Sequence, residues 1–168
     1  MIEVIKELFN NLYAKNLDKN SFFKEFLSKT GINFNEKFCL ESIEKASLLK
    51  DAESIDMLFQ MGLMYGFSTQ SVIVLSKLLL LDCHHVHEDI ANLLKELRDP
   101  VSINFLYKAT EMQFEYLDYD DTYQFARKCI KAIAAIGNSE AIYKLEQLSK
   151  SSIPEIAGYA IKELNRLL

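Results

Sequence analysis

Cys83, His84, His85, His87, Glu88 and Asp89 hold all three histidines of the chain beside a thiol and two acids, the densest set of potential metal ligands in the sequence. A metal site needs three or four such groups converging, commonly with histidines at i and i+3 or i+4 of one helix. Here they fall in the turn that enters a helix, where they are expected to point in different directions. No HExxH-type zinc motif is present. The simplest reading is a polar helix start, with Glu88 and Asp89 favoured at the positive end of the helix dipole. It calls for no metal and no cofactor. His84 and His85, in an exposed turn, are candidates for contact with a protein partner.

Glu111 to Tyr123 carries five acids, three tyrosines and no basic residue. Tyrosine supplies buried area with few rotatable bonds, and carboxylates steer and pair with lysine or arginine on a partner. The candidate partner-binding residues are therefore Tyr116, Asp118, Tyr119, Asp120, Asp121 and Tyr123, with Glu111, Glu115, His84 and His85 behind them. The alternative is a solvated loop whose Leu117 and one or two tyrosines tuck into the core. Asp118, Asp120 and Asp121 are too close in sequence to flank a substrate as an acid/base pair, and no nucleophile accompanies them. Arg127, Lys128 and Lys131 form a small basic patch that could bind an anion, balance the acidic segment or pair with a neighbouring repeat. There is no glycine-rich phosphate loop, nucleophile elbow or Cys–His arrangement, so catalytic residues are not expected.

Helices must position these groups. Apolar residues recur at helical spacing from end to end, without sustained period-two alternation, and five glycines and two prolines leave little room for hairpins. Stripes run through Ile2, Ile5, Leu8, Phe9 and Leu12, then Phe22, Phe23, Phe26 and Leu27 after Asn20 as cap. Asn35 and Asp51 cap the next two helices, and Ser68 or Thr69 starts a fifth. That fifth helix, containing the run Val72 to Leu81, is apolar nearly all round and should be centrally buried.

The second half repeats. Asp89 to Leu97, Phe125 to Ile133 and Ile156 to Leu164 superimpose so that Leu94, Ile130 and Ile161 coincide, each followed by a lysine (Lys95, Lys131, Lys162) and then by Leu97, Ile133 or Leu164. Asp99 and Asn138 match as N-caps, with Pro100 at the first helical position and Gly137 able to take a left-handed turn. The chain divides into five helix pairs, breaking near residues 33, 66, 98 and 137. The expected architecture is one all-α domain over residues 1–168, an α-α superhelix of about ten helices in five antiparallel pairs. Residues 1–66 would be a less regular helical cap and residues 67–168 three clearer repeats.

His87-Glu-Asp-Ile-Ala91, Leu97-Arg-Asp-Pro100, Arg127-Lys-Cys-Ile130 with Ile133, and Asn138-Ser-Glu-Ala141 resemble the HEAT-repeat superfamily. More narrowly, they resemble small bacterial HEAT-like proteins, some of which are immunity proteins beside polymorphic toxins. The resemblance covers about the last 85 residues and implies a non-catalytic protein-binding module. In its narrower form it implies an immunity protein that neutralises a basic toxin by occluding its active surface. HEAT-like folds also include alkylpurine DNA glycosylases, but a net charge of −5 and the absence of tryptophan argue against that alternative and against a nucleic-acid partner. That net charge points to a basic partner or serves only solubility.

A third alternative is a structural scaffold or homo-oligomer subunit, through an apolar end at Leu167 and Leu168; a monomer or weak homodimer is expected. The acidic start of the chain argues against a signal peptide, and the Val72–Leu81 run is too short to span a bilayer. Three widely spaced cysteines suit a reducing cytoplasm.

Overall fold

The computed structural model describes residues 1–117 and 122–167. The chain is all-α, as its periodicity predicts. The described residues form ten helices, α1 (Ile2–Tyr13), α2 (Lys19–Thr30), α3 (Glu36–Leu48), α4 (Ala52–Tyr65), α5 (Val72–Leu78), α6 (His87–Leu97), α7 (Ile103–Ala109), α8 (Gln124–Ile136), α9 (Ser139–Leu148) and α10 (Pro154–Leu167). Short 3₁₀ turns occupy Thr69–Ser71, Pro100–Ser102 and Glu115–Leu117. No strand occurs among the described residues. The helices form two compact units, Met1–Phe67 and Ser68–Leu168. Asp118, Tyr119, Asp120 and Asp121 of the acidic segment, and Leu168, lie outside the described residues.

In the first unit α1 packs on α2 and α4, and α3 on α4. Apolar faces of all four helices fill its core: Ile5, Leu8, Phe22, Phe26, Ile43, Ile55, Leu58 and Phe59 are all buried. Burying each such side chain is favourable by about 1.5–3 kcal/mol. Asn35 and Asp51 cap α3 and α4, accepting from Phe38 N at 2.9 Å and Ser54 N at 3.1 Å. The cap of α2 is Asp18, which takes the amides of Asn20 and Ser21; Asn20, the expected cap, is already inside the helix. Late in α4, Gly62 faces the Phe67 ring so closely that any Cβ there would overlap it.

In the second unit α5 packs on α6, α7 on α8 and α9 on α10, while α6, α8 and α10 lie side by side as one layer. The repeat positions Leu94 and Ile130 are fully buried within that layer. Ile161 is not: it is 46% exposed, and Ile156 and Ala160 make the contact of α10 instead. Asp99 and Asn138 serve as N-caps, to Val101 N at 2.9 Å and Ala141 N at 2.8 Å, and Gly137 takes φ +67°.

Two elements differ from expectation. The Val72–Leu81 run is not one centrally buried helix. Its helical part ends at Leu78, with Ile73 and Leu81 left exposed; there the Leu78 carbonyl accepts from Leu81 N at 3.0 Å as well as from His84, and the Leu81 carbonyl accepts from His87. Thr122, a residue of capping type just before α8, does not occupy its N-cap position either. The N-cap position is Tyr123, at φ +53°, whose side chain makes no capping bond.

Candidate functional site

Two neighbouring places in the second unit gather ionisable side chains. The first is the histidine turn between α5 and α6. His84 Nδ1 accepts from the Val86 amide at 3.3 Å, so its Nε2–H is the group that donates to the Leu78 carbonyl at 2.8 Å. His87 Nε2–H donates to the Leu81 carbonyl at 2.6 Å, and its Nδ1 accepts from the Tyr116 hydroxyl at 2.8 Å. A carbonyl can only accept, which fixes both tautomers. The two rings stack at 3.8 Å, and Phe114 covers the His87 ring at 3.6 Å, with Phe125 edge-on to both. Burial, with the neighbouring His84 second, pushes the His87 imidazole down to about 3, so it is neutral across the physiological range.

This arrangement corrects two expectations. His84 and His87 do not point apart but face each other. His84, only 2% exposed, is withdrawn from any contact surface and ties down the end of the α5 run. His85 remains exposed, with its ring edge-on to Tyr116 at 5.1 Å. Sequence reasoning missed Phe114 and Phe125, the two rings that close this cluster. The signal available was their aromatic type on either side of a polar stretch.

The histidine turn also holds the acidic segment. Phe114 is buried and Tyr116 half-buried against His87, so the segment starts on a fixed point, while Glu111 and Glu115 stay exposed. At its other end the Thr122 carbonyl accepts from the Tyr159 hydroxyl of α10 at 2.6 Å. Tyr123, half-buried, follows directly. Both described ends of the segment are thus bonded to layer helices. Its centre, Asp118 to Asp121, lies outside the described residues.

The second place is a cleft of about 90 Å³ between α8 and α10, lined by Arg127, Ile130, Lys131, Tyr159, Lys162, Glu163 and Arg166. Four cations face one carboxylate. Glu163, largely buried, accepts from Arg166 Nη1 through both oxygens, at 2.8 and 3.0 Å. The Arg127 guanidinium stands 5.4 Å from the Tyr159 ring centre and donates to Gln124. Burial first, and Arg127 next, hold the Lys131 ammonium below its usual range, with Lys95 and Arg166 adding to the effect and Glu163 opposing it. Lys128, the third member of the expected basic patch, is paired with Glu88 of α6 at 2.9 Å.

Cys39 and Cys129 are placed as core, and Cys83 is half-buried. Burial pushes the Cys39 thiol up to about 12 and raises that of Cys129 as well, leaving both poor nucleophiles. Among the described residues no group of three His, Cys, Asp or Glu side chains could hold a metal ion, and no helix is long and apolar enough to cross a membrane. Compared with family models, curated proteins and solved structures, the chain matches none.

Proposed function

We propose that the chain is a non-catalytic protein-binding module of HEAT-like repeats that engages a basic partner through the acidic, tyrosine-bearing segment between α7 and α8. The observation that carries this reading is the double tether of the segment, Tyr116 to His87 at one end and Thr122 to Tyr159 at the other. A binding segment whose ends are already fixed loses less conformational freedom on association, so more of its contact energy appears as affinity. The side chains best suited to chemistry support the same reading. The rings of His84 and His87 are committed to carbonyls and a hydroxyl, and the thiols of Cys39 and Cys129 are buried. In the narrower form suggested by the repeat resemblance, the partner is a basic toxin domain and binding covers its active surface.

The test is capture from host lysate, and with the product of the adjacent gene, comparing the native chain with an Asp118→Asn, Asp120→Asn, Asp121→Asn variant. The expected result is a stoichiometric basic partner whose affinity falls about tenfold to a hundredfold in the variant, three lost charge pairs at about 0.5–1 kcal/mol each. Equal binding by both would remove the segment from the interface. Retention of DNA with no protein partner would overturn the module itself.

A further inference from the structure

We propose that the cleft between α8 and α10 is a binding site for a single phosphoryl group, held by Lys131 and Lys162 and flanked by Arg127 and Arg166. This goes beyond the protein-binding reading and does not depend on it.

The charges come first. Four cations line the cleft and, among the described residues, Glu163 is the one carboxylate lining it, in a chain whose net charge is −5. Two of the four are already engaged, Arg166 with Glu163 and Arg127 with Gln124 and the Tyr159 ring. Neither Lys131 nor Lys162 has a hydrogen-bond or ion-pair partner among the described residues, and they stand on facing helices. Lys131 is half-buried and loses hydration there, so an anion would relieve a real electrostatic cost.

Size comes second. A cleft of about 90 Å³ is far below the roughly 300–1,000 Å³ of a cofactor pocket, so it takes one group and not a whole nucleotide. The excess of three positive charges favours a dianion. A tetrahedral phosphate can reach ammonium groups on both helices, whereas a planar carboxylate offers two oxygens in one plane. Lys95 of α6 stands near Lys131 and extends the basic row, yet a nucleic-acid backbone is disfavoured by the net charge of −5. Lys128, on the α6 side of α8, is neutralised by Glu88. The Tyr159 hydroxyl is bonded to Thr122 and serves as a wall.

Titration calorimetry of the full chain at constant ionic strength would use inorganic phosphate, phenyl phosphate and a 20-nucleotide DNA as probes. One saturable site for phosphate or for the monoester is expected, and the tighter of the two names the source of the group. Lys162→Gln should weaken binding about fivefold, a charge-assisted bond discounted for its exposure. Lys131→Gln with Lys162→Gln should abolish it, while Lys150→Gln, outside the cleft, leaves it unchanged. Circular dichroism of each variant separates lost binding from lost fold. No saturation below about 10 mM, equal affinity in a folded double variant, or binding of DNA without binding of phosphate would each overturn the proposal.

Discussion

His87 joins the α5–α6 turn to the start of the acidic segment, and its chemistry has a measurable consequence. The folded imidazole titrates near 3 and an exposed one near 6.5. Between those values the unfolded chain takes up a proton that the folded chain refuses. This contribution to stability is therefore complete above about pH 6.5 and is lost as pH falls towards 3. From pH 7 to pH 5, above the range where most carboxylates titrate, the loss for this one proton is up to about 2 kcal/mol. Urea midpoints across that range should fall for the native chain and fall less for His87→Phe. Parallel curves would show that the ring is protonated in place. Tyr116→Phe should cost about 1–2 kcal/mol by leaving buried His87 Nδ1 without a donor, with little change in slope. The sequence made the histidines visible as a cluster. It could not show what occupies them, because the partners are two backbone carbonyls and a hydroxyl 29 residues away, none of which has a local pattern.

Elements were legible where their signals are local. Asn35, Asp51, Asp99 and Asn138 are each a short polar side chain directly before an apolar helical stripe, and each accepts an amide at the start of its helix. Asn138→Ala should therefore lower stability by about 1 kcal/mol, and Gly137→Ala by about 1–2 kcal/mol because of the left-handed turn at φ +67°. Both are readable from thermal unfolding, and their neutrality would mean that the α8–α9 turn is not under this control. Competing signals blurred the rest. Asp18 lies two residues before Asn20, and either could open α2 on type alone. Arg98 and Tyr123 adopt φ +52° and +53° without being glycine, so nothing in their residue type announced a turn. The leucines after Leu78 read as more helix because periodicity does not register the tight turn in which Leu80 and Leu81 bond back to the carbonyls of Lys77 and Leu78. Gly62 gives the opposite lesson. Alanine there would gain up to about 1 kcal/mol of helix propensity but overlap the Phe67 ring, so Gly62→Ala should destabilise by about 1–3 kcal/mol. Adding Phe67→Ala should make the pair less than additive.

At the scale of the molecule, net charge proved a poor guide to where charge lies. A total of −5 argues against anion binding, yet the repeat itself places Lys95, Lys131 and Lys162 at equivalent positions on three helices of one layer, and α8 and α10 bring two of them together with Arg127 and Arg166. The repeat alignment contained that ladder; only the packing of α10 on α8 turns it into a cleft. The same packing argument predicts how the chain can be divided. Ser68–Leu168 has 101 residues counted from its first to its last position. It carries a continuous buried set from Val72 through Leu94, Ile103, Ile130 and Leu145 to Ala160, enough for an independent core at this size. A start at Ser68 also keeps the side chain that accepts the Gln70 amide at 3.2 Å, so the first turn retains its cap. Residues 68–168 made alone should therefore give a helical spectrum and one cooperative unfolding transition, with the histidine cluster intact. That cluster offers an internal check, since the fragment should show the same loss of stability from pH 7 to pH 5 as the full chain. A fragment that is helical but melts without cooperativity would mean that the buried set from Val72 onward is too small to close without Met1–Phe67.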